Sequence, residues 1–137
     1  MSKVSFIGLG VMGYPMAGYI SKAGYDVTVY NRTKSKAEKW TKDYKGKSAD
    51  TPMDAAKDSD FIFTCVGNDN DLREVTLGDK GLFKTAKKIR FTLIIQLHLQ
   101  ILLESFIKRQ YLKVLIFLMR QFQEGKLELR VEHLQSW

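Results

Sequence analysis

Apolar and polar positions follow a regular plan through residue 88, and the plan predicts alternating strands and helices. Lys3 to Ile7 is a short apolar block, read as a first strand. Gly8 to Gly13 interrupts it as a glycine-rich turn. Met12, Met16, Ile20 and Ala23 then recur at helical spacing, and Gly24 is placed to stop that helix. Asp26 to Tyr30 alternates and is rich in Val and Tyr, as a second strand would be. Thr33 stands as N-cap of a helix running to about Tyr44. Ser48 falls in a short third strand, and Thr51-Pro52 opens another helix with Thr as cap and Pro at the first helical position. Asp60 to Val66 reads as a continuous apolar run, right for a buried parallel strand. Residues 67–71 predict a polar loop, followed by one or two helical turns over Asp71 to Thr76. This β-α-β-α-β-α-β order is that of an open α/β sheet.

After Lys88 the plan breaks. Residues 89–137 contain no Ala, Asp, Asn or Pro, and only one glycine, Gly125. Gln is absent before Lys88 and recurs after it at 96, 100, 110, 121, 123 and 135. A domain boundary can shift composition, but a chain that folds back on itself needs turn-forming residues. The sequence therefore divides into residues 1–88, an incomplete α/β parallel sheet, and residues 89–137, an atypical Leu/Gln-rich tail. Phe91 to Phe122 has some amphipathic spacing, so helix is the ordinary expectation there.

Composition adds a few exclusions. The chain of 137 residues is long enough for one domain with a real core. Its formal charge of +7 comes from singly scattered lysines, the pattern of a solvated surface, so nucleic acid is not expected as a partner. Cys65 is the only cysteine and can form no internal disulfide, which fits a reducing, cytoplasmic setting. Met1-Ser2-Lys3 leads straight into a strand, so no signal peptide is expected. Phe91 to Leu103 is too short, and too interrupted by Gln96, His98 and Gln100, to span a bilayer. His98 and His133 have no ligand spacing around them, so no metal site is expected.

The chemistry lies in Gly8-Leu9-Gly10-Val11-Met12-Gly13, a G-x-G-x-x-G between a strand and a helix. In that context the first glycine permits the tight turn and the second lets the backbone approach a pyrophosphate. The third lets helix and strand pack closely. The helix N-terminus adds unpaired N–H groups and the positive end of its dipole. A glycine-rich turn with no ligand is the bland alternative. The pattern predicts a Rossmann-type dinucleotide site.

The end of the second strand selects the cofactor. A carboxylate there binds the ribose 2′-OH of NAD. This chain has Asn31, then Arg32 and Thr33. A 2′-phosphate is not repelled, and Arg32 can pair with it, so NADP is preferred over NAD. Cys65 ends an apolar strand and has no neighbouring base in the sequence, so a packed thiol is expected rather than a nucleophile.

With these residues in view, the segment Phe6 to Ala17 resembles the opening of the β-hydroxyacid dehydrogenases. That family includes 3-hydroxyisobutyrate dehydrogenase, glyoxylate/succinic semialdehyde reductase and the NADP-binding domain of 6-phosphogluconate dehydrogenase. Val29-Tyr30-Asn31-Arg32-Thr33 is similar to the family's NADP-type strand end. Cys65-Val66-Gly67-Asn68-Asp69 resembles its fourth strand and the loop beside the nicotinamide ribose, and residues 78–83 fit as well. The resemblance covers residues 1 to about 88. It implies hydride transfer between NADP(H) and a small β-hydroxyacid or semialdehyde. Gly8, Leu9, Gly10, Val11, Met12 and Gly13 would hold the pyrophosphate, Asn31, Arg32 and Thr33 the adenosine ribose or its phosphate, and Val66 and Gly67 the nicotinamide ribose.

Past that point the family continues with a Thr-Thr-Ser segment, a substrate loop of the form D-A-P-V-S-G-G-x-x-G-A, and later a catalytic Lys. None is present as written. Back-translated and read one nucleotide earlier, however, residues 88–103 can give K-N-S-I-Y-V-D-Y-T-T-T-S-A-D-L-A. Residues 119–130 can give D-A-P-V-S-G-G-Q-A-G-A-E, and residues 131–137 S-G-A-F-T-I-M. Codon degeneracy leaves limited freedom, and the missing motifs return in order. A one-base loss near the Lys87-Lys88 codons would make the tail out-of-frame translation ending at an early stop. No catalytic residue is then assigned, the β-sheet loses its native fifth strand, and the edge of the fourth strand is poorly covered. The alternative is a non-catalytic nucleotide-binding or interaction protein whose basic amphipathic tail docks a partner.

Overall fold

A computed structural model of the chain describes residues 2–84, the backbone of Phe91–Ile94, and Lys113, Ile116, Phe117, Arg120 and Glu124. Five strands form one parallel sheet: β1 (Lys3–Ile7), β2 (Asp26–Tyr30), β3 (Lys47–Ser48), β4 (Phe61–Thr64) and β5 (Phe91–Ile94), in the order β3-β2-β1-β4-β5. This is the Rossmann-type order, with the direction of winding reversing beside β1. The register sets Ile7 against Tyr30 on one side and Thr64 on the other, so three strands end level at one edge.

Side-chain alternation builds a core on each face. Val4, Phe6, Val27, Val29, Phe61 and Phe63 face helices α1 (Gly13–Lys22) and α2 (Lys34–Asp43), which contribute Met16, Ala17, Ile20, Ala37 and Trp40. Trp40 is fully buried and its indole N–H donates to the Tyr14 carbonyl at 3.2 Å, pinning α2 to the start of α1. On the opposite face Ile7 and Ile62 meet Ala55 and Ala56 of α3 (Pro52–Ala56), Val75 of α4 (Asp69–Leu77) and Leu82. Each fully buried large apolar side chain contributes about 1.5–3 kcal/mol.

The helix termini follow local chemistry, with two departures from expectation. Thr51 caps α3, its Oγ1 accepting from the Asp54 N–H at 3.0 Å. Thr33 occupies the N-cap of α2, but its side chain makes no cap bond. The segment read as a polar loop is largely helix: α4 begins at Asp69 because the Asn68 side chain accepts from the Asp71 N–H at 2.8 Å. That helix covers nine residues rather than one or two turns.

The tail corrects two expectations. Phe91–Ile94 is a strand, not the start of a helix, and it pairs parallel with β4 from Phe61↔Phe91 to Thr64↔Ile94. The far edge of β4 is therefore covered, because a Phe-Thr-Leu-Ile run has the β-branched and aromatic character that a strand position accepts. Lys113, Ile116, Phe117 and Arg120 are helical, as the Leu-rich spacing suggested. The remaining shifted-frame positions, His98 and His133 lie outside the described residues. Among the described residues no helix is long and apolar enough to cross a membrane.

Candidate dinucleotide site

The strand ends at the reversal point open a cavity of about 240 Å³. One wall is the glycine turn (Gly8, Gly10) and the end of β2 (Tyr30, Asn31, Arg32, Thr33). The other is the end of β4 (Cys65, Val66, Gly67) with Asp71, Glu74 and Val75 of α4. Seven of the eleven residues expected from sequence line this cavity, while Leu9, Val11, Met12 and Gly13 belong to the same turn but not to the lining.

The three glycines have separable roles. Gly8 has φ +99°, and a Cβ there would lie 2.1 Å from the Cys65 carbonyl oxygen. At Gly13 a Cβ would lie 2.0 Å from the Gly8 oxygen and 3.2 Å from the Phe6 ring, so the helix can start only against a bare backbone. At Gly10 a Cβ would meet no protein atom within 4 Å. Folding makes no steric demand at Gly10, which faces open space on the cavity wall. A pyrophosphate drawn against backbone N–H groups supplies that demand, so the turn fits a dinucleotide. Val11 is 77% exposed at its tip.

Asn31 ties the turn to β2. Its Oδ1 accepts from the Leu9 N–H at 2.9 Å and its amide donates to the Thr33 carbonyl at 3.0 Å, while the Gly8 N–H donates to the Tyr30 carbonyl at 2.8 Å. Asn31 is thus committed chiefly to holding the turn, with one amide hydrogen left for a ligand. Arg32 reaches across the cleft, its Nη1 lying 3.0 Å from Asp71 Oδ1. Lys36 and Lys80 line the same cavity, with Pro52 and Glu74.

Two titrating groups in the cavity wall are shifted. Burial pushes the Cys65 thiol up to about 11, which leaves it protonated and inert at neutral pH. Burial, then the nearby Glu74 carboxylate, raise the Tyr30 phenol, while Arg32 pulls it partly back. Neither group is poised for acid–base work near pH 7. Among the described residues no cluster of three His, Cys, Asp or Glu could hold a metal.

Sequence inspection missed Asp71, Glu74, Lys36 and Lys80 as wall residues. Asp71 comes to the wall because the Asn68 cap starts α4 there, inside a segment with the composition of a loop. Lys80 reaches the site only through the turn after α4, and its spacing carries no such signal.

The family model for the NAD binding domain of 6-phosphogluconate dehydrogenase matches residues 3–96. An uncharacterised oxidoreductase of Shewanella frigidimarina is 65% identical over 82 residues, which cover 60% of this chain and 28% of that protein. A probable mitochondrial 3-hydroxyisobutyrate dehydrogenase-like protein of Arabidopsis thaliana is 48% identical over 80 residues, 58% of this chain and 24% of its own length. The chain therefore spans about a quarter of the curated relatives it matches. An imine reductase variant from Myxococcus stipitatus, solved in complex with NAD+, superposes with a TM-score of 0.58 at 27% identity, covering 69% of this chain and 32% of that one.

Proposed function

The chain belongs to the family of the NAD binding domain of 6-phosphogluconate dehydrogenase, and from that premise we propose that it is the NADP-preferring cofactor-binding portion of a β-hydroxyacid dehydrogenase-type oxidoreductase. The observation that carries the preference is Arg32 at the rim of a cleft whose second-strand end offers Asn31 instead of a carboxylate. Gly8, Leu9, Gly10, Val11, Met12 and Gly13 would cradle the pyrophosphate. Asn31, Arg32 and Thr33 would hold the adenosine ribose and its 2′-phosphate, and Val66 and Gly67 the nicotinamide ribose. When bound, the nicotinamide supplies a hydride acceptor or donor. The protein's part here is to fix the dinucleotide against the strand ends, with an inert Cys65 thiol beside it.

The intact enzyme would act on a small 3-hydroxyacid or its semialdehyde. On this reading the chain binds nucleotide without turnover, because the family's substrate loop is not present as written among residues 89–137. The out-of-frame origin of residues 89–137 is supported by the lost residue types, by the family motifs in the neighbouring frame, and by curated relatives that align over only 80 to 89 residues.

Three measurements test this. Calorimetry on the full chain should show NADP+ bound more tightly than NAD+, and NADPH with glyoxylate or succinic semialdehyde should show no oxidation above the buffer rate. Ordinary turnover would overturn the inactive reading. Equal affinity would overturn the cofactor preference. Resequencing the DNA across codons 84 to 92 settles the tail, since an extra base restores the family frame.

A further inference from the structure

We propose that Asp71 is a specificity-determining residue: from the far wall of the cleft it restrains Arg32 and lowers the advantage of a nucleotide carrying a 2′-phosphate. The inference rests on Arg32 being the group that meets that phosphate. The end of β2 lacks the carboxylate that would discriminate between the two cofactors, yet the cleft does not lack a carboxylate. Asp71 brings one from α4, lining the same cavity as Asn31 and Arg32.

Asp71 is the fixed member of the pair. Its backbone N–H donates to Asn68 Oδ1 at 2.8 Å, and its Oδ2 accepts from Asn68 Nδ2 at 3.0 Å. Only Oδ1 turns to Arg32, at 3.0 Å. The Asp71 side chain is 27% exposed and that of Arg32 is 75% exposed, so the arginine is the arm that moves. Within this pair Arg32 uses one nitrogen, leaving other donors of its fork to face the cleft.

A 2′-phosphate arriving at the rim competes with Asp71 for the guanidinium and lies near a second negative charge. A 2′-hydroxyl meets neither cost. Asp71 therefore penalises the phosphorylated nucleotide selectively, while Arg32, Lys36 and Lys80 favour it. The ratio between the two cofactors is set by this opposition.

The test uses the full chain with 2′,5′-ADP and 5′-AMP, two probes that differ by the 2′-phosphate. Asp71→Asn and Asp71→Ser keep the backbone N–H that Asn68 caps, so α4 retains its start. Both variants should bind 2′,5′-ADP roughly three- to fivefold more tightly, the range an exposed ion pair supports. Binding of 5′-AMP should stay within about twofold, and the gain should shrink in an Arg32→Ala background. Unchanged or weaker 2′,5′-ADP binding in both variants overturns the proposal, as does an equal change for both probes. Failure of the underlying reading has a different signature: Arg32→Ala alone would leave the ratio of the two affinities unchanged.

Discussion

A side chain at Gly13 would place its Cβ 2.0 Å from the carbonyl oxygen of Gly8, so the first and third glycines of the turn lie in direct contact. A Cβ at the second glycine would meet nothing in the protein within 4 Å. Stability and binding should therefore separate by position. Gly13→Ala should destabilise by about 1–3 kcal/mol through overpacking. Gly10→Ala should leave the urea midpoint in place while weakening NADP+ binding on the order of tenfold or more. Urea titration and calorimetry on the same two variants check both halves.

Asn31 carries a second separable effect. Asn31→Ala strips the Leu9 N–H of its acceptor and should cost about 1 kcal/mol, the low end for a partly buried donor. Asn31→Asp keeps that acceptor, loses the donation to the Thr33 carbonyl, and adds a negative charge where the adenosine ribose would sit. The ratio of NADP+ to NAD+ affinity should fall in Asn31→Asp. An unchanged ratio would place the ribose elsewhere.

Cys65 offers a pH-dependent readout. Burial raises its thiol from 9.0 to about 11, so the folded chain holds this proton more tightly than the unfolded one. The sign follows: this group costs no stability below about pH 9, and stability falls as pH rises from about 9 to about 11. Alkylation by iodoacetamide at pH 8 should run about a hundredfold slower in the folded chain than in urea, from the smaller thiolate fraction alone. Replacing Cys65 with Ser should remove this contribution to the alkaline loss of stability.

Trp40 tests the packing of α2. The indole is fully buried, lies tilted against Tyr44 at a centroid distance of 5.5 Å, and donates to the Tyr14 carbonyl. Trp40→Ala should cost about 3–5 kcal/mol. Trp40→Phe keeps much of the apolar volume but loses the hydrogen bond, and should cost less. Denaturant titrations of both variants give the comparison.

Legibility from sequence tracked how local each cause was. Lys3 to Ile7 and Asp26 to Tyr30 were readable to the residue because the first is a short apolar block and the second alternates, each bounded by charge or a turn. The start of α4 was hidden because Asn68-Asp69-Asn70-Asp71 has the composition of a loop, while the bond that makes it helical is a cap three residues long. The glycine turn was readable as a site through its spacing. That Asn31 would hold the turn through Leu9 was not, since the bond joins residues 22 apart and depends on the register of β1 with β2. The strand at Phe91–Ile94 was obscured by the compositional break before it, although its own residue types favour a strand.

The cleft at the reversal point has a mechanical consequence. Most of its lining comes from residues 7–36 and 65–80, stretches joined through the β1–β4 pairing beneath them. A dinucleotide seated there would act as a removable cross-link between the two wings of the sheet. It would bind the folded chain and not the unfolded one, so each tenfold rise in its free concentration above Kd would add about 1.4 kcal/mol of stability. The melting temperature would then report binding independently of any turnover, and the cofactor would double as a folding ligand.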